Sequence, residues 1–478
     1  MLGFALCALA AGITPPAEQW VQGYTFGASE SHPHAGVQLQ DGGYLVVGDG
    51  VDYANTTVVK RYMYAMKADA SGALLWQARV GECGYNYGKS GVELSDGTLL
   101  LGGAISDGCK PLHPDGVLHR GLVRLDGATG RVLNTQLLPN TATGADKGRR
   151  DGIMNLCVSD SGGGDANHTV AATGFVGGES AKTGYPDEPM FLIHGGAAVL
   201  TKFSYAPWHA GSPKSSDLDI VFDATLDAAG GGGAGFDGTA DQGMRLVHDA
   251  PASRYVVSST GVSADDPDGR FQMSLFSARD TDGATQWAKT YPASAAPEGG
   301  HASHPYALTK MPVGGAAAFA IGGLAVLYDA DGIEQCQGRA LGLDQDGEIA
   351  FDARFAEPGA GENTECYGII PSPSDGGAVL TCGAGVEPEL HPKDTDKQKT
   401  WRVLLHGLDS SGAPTWQKTY TDAQQRKLQN NAGENLIRTS DGGIAVLVDS
   451  ETWGSPSTGG NFALMKLAPE AGATVAAA

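Results

Sequence analysis

Short apolar segments separated by tight polar turns recur along the whole chain. Clear copies begin at residues 38, 93, 370 and 437, and weaker copies begin at residues 156, 246 and 308. Each copy is an apolar segment, a turn of the Asp-Gly type and a second segment rich in β-branched residues, which is the pattern of a β-hairpin. The pattern therefore predicts a series of seven hairpins.

A second pattern follows each hairpin. A strand and an Asp-x-x-Gly turn lead into a further strand that opens on a large residue, here called the anchor. The anchors are Trp20, Trp76, Asn134, Phe222, Trp287, Phe351 and Trp416, spaced 56, 58, 88, 65, 64 and 65 residues apart. A period of about 60 residues holding four short strands is typical of a propeller blade.

The two ends of the repeat complement each other. The first anchor strand, 20–26, has no third strand before it, and the last third strand, 461–472, has no anchor strand after it. Pairing them would remove two exposed strand edges. The sequence thus predicts an all-β, seven-bladed β-propeller of four-stranded antiparallel blades, a single domain over 18–472 whose ring is closed by the N-terminal strand, with a short tail at 473–478.

The longest unit carries extra residues near 175–217. Growth of a surface loop costs little, so we interpret the extra length as a tolerated insertion. The alternative is that the insertion is a ligand-binding loop that includes Trp208.

The composition limits the classes of ligand and partner that we expect. There are 54 acidic and 32 basic residues, a net charge of −22, which argues against nucleic acid and favours cations. Residues 1–11 are apolar and small, typical of a secretory signal, so we expect a secreted or cell-surface protein. No later apolar stretch is long enough for a membrane span. We also expect the protein to be a monomer.

Cysteine positions predict two disulfides. Cys83 and Cys109 are equidistant from Asp96, and Cys366 and Cys382 are equidistant from Ser374, both within Asp-Gly turns. Residues equidistant from a hairpin turn face each other at a distance that a disulfide can span.

The remaining cysteines and two glycosylation sequons are also interpreted on the assumption of secretion. Cys157 and Cys336 lie in non-adjacent blades, so we expect both to be free and buried. Asn55 and Asn167 are glycosylation sequons in a secreted eukaryotic protein.

The strand, Asp-x-x-Gly and anchor pattern, most clearly in 124–134, resembles the repeat of pyrroloquinoline-quinone-type propellers. The SDGG hairpins resemble repeats of secreted propellers. Quinone-dependent dehydrogenases of that superfamily have eight blades and an adjacent pair of cysteines near the cofactor. This chain has seven repeats and no such pair, so the resemblance implies the architecture and argues against a bound quinone.

Polar residues recur where each hairpin begins. They are expected to line the mouth of the central channel, on the face that carries the long loops: His34, Lys89, Asp151, Gln242, His304, Glu365 and Glu434. They are interpreted either as a solvated rim or as a ligand site. A sharper hypothesis is a divalent metal held by two imidazoles and two carboxylates on adjacent blades: His34, His304, Glu365 and Glu434.

The Asp-rich turns at 329–332 and 343–349 resemble fragments of calcium loops, but each has too few oxygen ligands, so we interpret them as turns. No GxSxG, HExxH, Walker-type or CxxC motif is present. The leading hypothesis is a binding module for a protein or glycan. The alternative is an extracellular hydrolase, lyase or oxidoreductase that uses the channel-mouth residues.

Overall fold

The computed structural model describes most of the repeat and leaves parts of its connections undescribed. The described residues are 14–26, 30–52, 60–81, 86–106, 117–139, 150–159, 168–180, 193–194, 196–206, 218–226, 242–262, 271–292, 303–328, 334–355, 363–372, 376–385, 400–420, 429–450, 453 and 461–470. Several predictions concern positions outside them, namely the signal 1–11, the tail 473–478, the turn 329–332, Cys83, Cys109, Asn55, Asn167 and Trp208.

The described residues are almost entirely β-strands and turns. In chain order the strands are β1 (Glu18–Tyr24), β2 (Glu30–Gln38), β3 (Tyr44–Asp52), β4 (Lys60–Ala68), β5 (Leu74–Val80), β6 (Asn86–Glu93), β7 (Leu99–Ser106), β8 (Leu118–Leu125), β9 (Val132–Leu137), β10 (Arg150–Val158), β11 (His168–Ser180), β12 (Ile193–His194), β13 (Ala197–Tyr205), β14 (Leu218–Thr225), β15 (Gln242–Asp249), β16 (Arg254–Val262), β17 (Phe271–Arg279), β18 (Thr285–Tyr291), β19 (Ser303–Lys310), β20 (Phe319–Tyr328), β21 (Glu334–Leu343), β22 (Ile349–Phe355), β23 (Asn363–Pro371), β24 (Ala378–Gly385), β25 (Thr400–Leu408), β26 (Pro414–Tyr420), β27 (Gln429–Arg438), β28 (Ile444–Ser450) and β29 (Asn461–Leu467). A single 3-10 turn, Ala250–Ala252, joins β15 to β16. None of the described segments forms a helix long and apolar enough to cross a membrane.

The strands build a β-propeller of small antiparallel four-stranded blades. Each blade is named here after its first strand. Three blades are separate sheets, β2 to β5, β15 to β18 and β19 to β22. A nine-stranded sheet holds β6 to β14, and an eight-stranded sheet holds β23 to β29 together with β1.

The described strands thus form five hydrogen-bonded sheets, where the repeat predicted seven separate blades. The difference comes from two short parallel bridges. Arg150 at the start of β10 pairs with Leu118 of β8, and Thr400 and Trp401 of β25 pair with Gln429 and Asn430 of β27. Each bridge joins the third strand of one antiparallel unit to the first strand of the next, so each large sheet contains two such units.

Local side-chain chemistry explains the tight turns. The Asp69 carboxylate accepts hydrogen bonds from the backbone amides of Ser71 and Ala73 at 2.8 and 2.9 Å. Gly72 follows with a φ of +85°, which is accessible to glycine at little cost. Asp344 likewise accepts bonds from the amides of Asp346 and Glu348. The second Asp-rich segment is therefore a turn, as predicted, with its first carboxylate engaged by backbone.

The described glycines of the Asp-x-x-Gly turns also receive an anchor from the preceding blade. A Cβ atom at Gly130 would lie 2.5 Å from the Trp76 ring, and one at Gly412 would lie 2.4 Å from the Phe351 ring. The anchor therefore packs flat on the bare backbone of its neighbour. This contact explains why the large residue and the Asp-x-x-Gly turn recur together.

The N-terminal strand belongs to the last blade. β1 pairs antiparallel with β29 from Glu18–Leu467 to Tyr24–Phe462. A Cβ atom at Gly72, in the turn between β4 and β5, would lie 2.7 Å from the Trp20 ring. Phe26 is buried between Tyr64 of β4 and Phe462 of β29, with ring centroids 4.8 and 4.4 Å away. These contacts connect the β27 blade to the β2 blade.

Candidate functional site

The first strands of the blades contact one another in succession. Each contacts the first strand of the next blade, in the order β2, β6, β10, β15, β19, β23 and β27, and β27 contacts β2 again. The residues of these strands are therefore brought close to one another.

Every one of these strands has a register shift at an equivalent place in its pairing with the second strand. The residue skipped by the pairing is His34, Lys89, Met154, Met244, Tyr306, Tyr367 or Glu434. Such a β-bulge leaves one residue unpaired, bends the strand and redirects the side chain. We call these seven residues the bulge ring.

The predicted channel residues fall on or just before this ring. His34, Lys89 and Glu434 belong to it. Gln242, His304 and Glu365 precede the bulge of their strand by two residues. Asp151 precedes Met154 by three residues and lies at a second register shift of β10, between Arg150 and Gly152. All seven predicted residues therefore lie in first strands, and the bulge decides which side chains the pairing skips.

The bulge ring has an apolar and aromatic part. Met154, Met244, Tyr306 and Tyr367 belong to one hydrophobic cluster that draws on the β6, β10, β15, β19 and β23 blades. The rings of Tyr306 and Tyr367 lie 5.0 Å apart. The imidazole of His304 stacks on Tyr306 at 6.3 Å, and burial lowers the pKa of His304 to about 4. We call Tyr306, Tyr367, Glu365 and Glu434 the aromatic arc.

Carboxylates accompany these rings. The Tyr367 hydroxyl donates to Oε2 of Glu365 at 2.6 Å. Burial, followed by the negative charges of Glu365 and Glu434, raises the pKa of Tyr367 well above its usual value. The Tyr367 hydroxyl therefore remains protonated and is hydrogen-bonded to Glu365. Glu365 and Glu434 are half-buried, so both remain partly accessible.

Arg245, the residue after the bulge in β15, brings a cation into the same region. Its Nη1 donates to the backbone carbonyls of Met154 and Met244 at 3.4 and 3.1 Å. Burial lowers the pKa of Arg245 to about 10, and the charge of Glu434 opposes this shift. Arg245 is therefore charged at neutral pH and lies within electrostatic range of Glu434.

A polar group occupies the β2 and β6 blades. His34 Nε2 lies 2.6 Å from Asp49 Oδ1 and 3.0 Å from Lys89 Nζ, and Arg61 donates to the other oxygen of Asp49. Burial of Asp49 opposes ionisation, but Arg61, His34 and Lys89 outweigh it and hold the pKa of Asp49 well below its usual range. Burial and Lys89 lower the pKa of His34 to about 4, so His34 is neutral at pH 7.

The two remaining predicted residues are fully buried. Asp151 accepts a hydrogen bond from the Gly177 amide at 2.8 Å, and burial raises the pKa of its carboxyl. Gln242 is also completely covered. Asp151 therefore has a structural partner in β11, and neither residue is exposed at the mouth.

Other residues at the starts of the first strands join neighbouring blades, and the sequence analysis did not single them out. Ser303 Oγ accepts a hydrogen bond from the Met273 amide at 2.9 Å, and Asn363 Oδ1 accepts one from the Cys336 amide at 3.0 Å. Both reach the third strand of the preceding blade, where the parallel bridges also form. Their signal in the sequence is a small polar residue at the start of each hairpin.

All four predicted metal ligands lie in the part of the chain that the structure describes. Among the described residues, no group of three or more His, Cys, Asp or Glu side chains is arranged to hold a metal ion. His34 and His304 are engaged with separate neighbours, Asp49 and Tyr306.

The disulfide beside the ring is confirmed. Cys366 and Cys382 are bonded and stand opposite each other in β23 and β24, immediately before the bulge residue Tyr367. Cys157 and Cys336 do not form disulfides, as predicted, although Cys157 is half-buried where the sequence predicted full burial. The disulfide fixes the strand that presents Glu365 and Tyr367 to the channel.

Comparisons with known proteins give limited information. No protein-family model matches the chain, and no curated protein matches it. Among solved structures, BamB from Moraxella catarrhalis is similar, with 10% identity, a TM-score of 0.33, and coverage of 91% of this chain and 99% of that chain. Quinohemoprotein alcohol dehydrogenase from Comamonas testosteroni is similar at 12% identity and a TM-score of 0.41, over 95% of this chain and 68% of that one. Likenesses this remote carry no argument about activity, which must come from the site itself.

Proposed function

We propose that residues 18–472 form one seven-bladed propeller, closed by β1, that acts as a secreted, non-catalytic binding module for a protein or glycan. The count of seven is supported by the cyclic contacts of the first strands and by the two antiparallel units within each large sheet. Closure is supported by the pairing of β1 with β29 and by Phe26 between the β27 and β2 blades.

Secretion is part of this proposal. A buried disulfide is typical of oxidising compartments, which include the periplasm and the extracellular space. The apolar segment 1–11 supplies a signal in the proposal, and Asn55 and Asn167 supply glycosylation sites.

The bulge ring is the observation that carries the binding function. It gathers half-buried polar side chains and aromatic rings at the centre of the molecule, and partly accessible groups of both kinds suit ligand recognition. A bulge recurs in each described first strand and positions these groups on strands of the scaffold.

Binding is tested with a glycan array and a peptide array probed with the full-length protein. A specific hit that is weakened by Glu434→Gln or Tyr367→Phe supports the proposal. Hits that ignore both substitutions would place the binding surface elsewhere.

A second candidate is catalysis, and the pairing of His34 with Asp49 favours it. A carboxylate that holds one imidazole nitrogen leaves the other as the proton acceptor, an arrangement that general-base catalysis uses. Incubating each array hit with the protein and looking for product by mass spectrometry separates the two functions. Turnover that His34→Gln abolishes would make the chain an enzyme, whereas intact ligands support the binding module.

A further inference from the structure

We propose that Ser95, His168 and Asp96 form a nucleophilic site, at which the Ser95 hydroxyl accepts an acyl group from a reactive carboxylic ester. We call these three residues the serine site. It goes beyond the proposed binding function and uses no residue of the bulge ring.

The serine site joins two neighbouring blades. Ser95 and Asp96 lie in the tight turn between β6 and β7, and His168 is the first residue of β11 in the next blade. Ser95 Oγ lies 3.1 Å from Nδ1 of His168, which is hydrogen-bond distance. His168 Nε2 lies 3.4 Å from Oδ2 of Asp96. The imidazole thus has a hydroxyl at one nitrogen and a carboxylate at the other.

The carboxylate decides which nitrogen of His168 carries the proton. A proton on Nε2 faces the negative charge of Asp96, so Nδ1 keeps a lone pair for the Ser95 hydroxyl. Ser95 Oγ therefore donates, and His168 Nδ1 accepts. This is the arrangement in which an imidazole takes the proton of an attacking serine.

Asp96 is held in place by the rest of its blade. Its Oδ1 accepts hydrogen bonds from the amide and the hydroxyl of Thr98 at 3.0 and 2.6 Å, and its Oδ2 accepts one from Arg124 Nη2 at 2.6 Å. Because Arg124 shares the charge of the carboxylate, the main effect of Asp96 on His168 is to orient the ring. Asp96 is therefore a positioning residue.

Exposure differs between the nucleophile and its base. His168 is 9% exposed, whereas Ser95 is open to solvent. Beside Ser95, a Cβ atom at Gly97 would have no described atom within 4 Å apart from those of its chain neighbours. The hydroxyl is therefore accessible, with open space for an acyl group, while the imidazole is fixed by its surroundings.

The reaction balances with the protein and the ester alone. Ser95 Oγ attacks the carbonyl carbon and forms a C–O bond, while the hydroxyl proton passes to Nδ1 of His168. The bond from the carbonyl carbon to the alcohol oxygen then breaks, and the alcohol leaves with that proton. The products are the alcohol and a protein acylated on Ser95.

The experiment treats the full-length protein with p-nitrophenyl acetate and locates the acetylated serines by peptide mass spectrometry. We expect Ser95 to react about a hundredfold faster than Ser71 or Ser411, which is the size of effect that a general base supplies. These two serines are matched controls in the same sample, because each lies in an exposed Asp-x-x-Gly turn. Their hydroxyls donate at 2.7 Å to the carboxylates of Asp69 and Asp409, in place of an imidazole.

Two variants assign the reaction to the serine site. His168→Gln removes the base and should lower the acetylation rate of Ser95 to that of Ser71, and Ser95→Ala should abolish the fast release of p-nitrophenol. Thermal melting verifies that each variant is folded, and the comparison with Ser71 and Ser411 in the wild type decides the matter without any variant.

Equal acetylation of Ser95 and the two control serines would overturn the proposal. A rate that folded His168→Gln leaves unchanged would do the same. Binding on the glycan and peptide arrays should be identical for Ser95→Ala and the wild type, so failure of the serine site leaves the proposed binding module standing.

Discussion

Phe26 offers a sharp test of how the last blade is joined to the first. It follows β1, is 3% exposed, and packs on Tyr64 of the first blade and Phe462 of the last. Replacing a buried phenylalanine by alanine removes its transfer energy and leaves a cavity, together about 3–5 kcal/mol. Loss of the two ring contacts adds about 0.5–1.5 kcal/mol each in other proteins, partly included in that figure. We expect Phe26→Ala to lower the free energy of unfolding by about 4 kcal/mol.

The assay is urea unfolding followed by tryptophan fluorescence, with amide hydrogen exchange as a second readout. Since Phe26 holds β1 against the first blade, exchange should accelerate in β1 and β29 more than in β20 or β21. Phe26→Leu keeps most of the volume and should cost less than half as much. Val313→Ala, at a fully exposed site, is the control and should change nothing. A loss below about 1 kcal/mol for Phe26→Ala, or uniform acceleration of exchange, would refute the closure of the ring by this segment.

Three further outcomes are expected. The Cys366→Ala/Cys382→Ala double variant should lose about 3 kcal/mol, the chain-entropy value for a separation of 16 residues, measured by urea unfolding against the oxidised wild type; an unchanged midpoint would contradict it. His406 packs on Phe355, and burial lowers its pKa to about 4, below the unfolded value of about 6.5. The unfolded state therefore binds the proton first, so the contribution of His406 to stability is complete above pH 6.5 and falls by about 2–3 kcal/mol as the pH drops towards 4. His406→Phe should make the decline of the whole protein shallower by about that amount, while His34 and His304, whose pKa values burial also lowers to about 4, retain their share; a profile identical to that of the wild type would exclude a contribution from His406. Finally, removal of residues 1–27 should expose the edge of β29 and promote aggregation, which light scattering detects; a soluble variant with wild-type melting would show that β1 is dispensable.

Local sequence patterns determined the hairpins, the turns and one disulfide. The Asp69 and Asp344 turns form because the aspartate side chain and the following glycine satisfy the turn within a few residues. Cys366 faces Cys382 because antiparallel pairing about a tight turn places equidistant residues opposite each other. Such features depend on neighbours in sequence, so the sequence is sufficient to predict them.

Tertiary structure decided which residues occupy the bulge positions of the first strands. Side chains alternate between the two faces of a strand, so counting residues from the turn predicts which face each side chain occupies. A bulge adds one residue, and the prediction then fails for the residues beyond it. His34, Lys89 and Glu434 of the predicted set belong to the bulge ring, whereas Tyr306 and Tyr367 take that place in their strands. The bulges lie in first strands that contact one another from blade to blade, and those contacts exist only in the folded protein.

Contacts between blades likewise required the structure. In the sequence Trp76 follows the Asp-x-x-Gly turn of its own blade, whereas the fold packs it against Gly130 of the next blade. The bridge from Arg150 to Leu118 and the bond from Ser303 to Met273 also join segments about 30 residues apart or more in sequence. No local propensity encodes these pairings, because they form only when finished blades meet and exclude water between their faces. The sequence alone therefore determined the blade as a repeating unit, and the packing of blades determined which side chains face the channel.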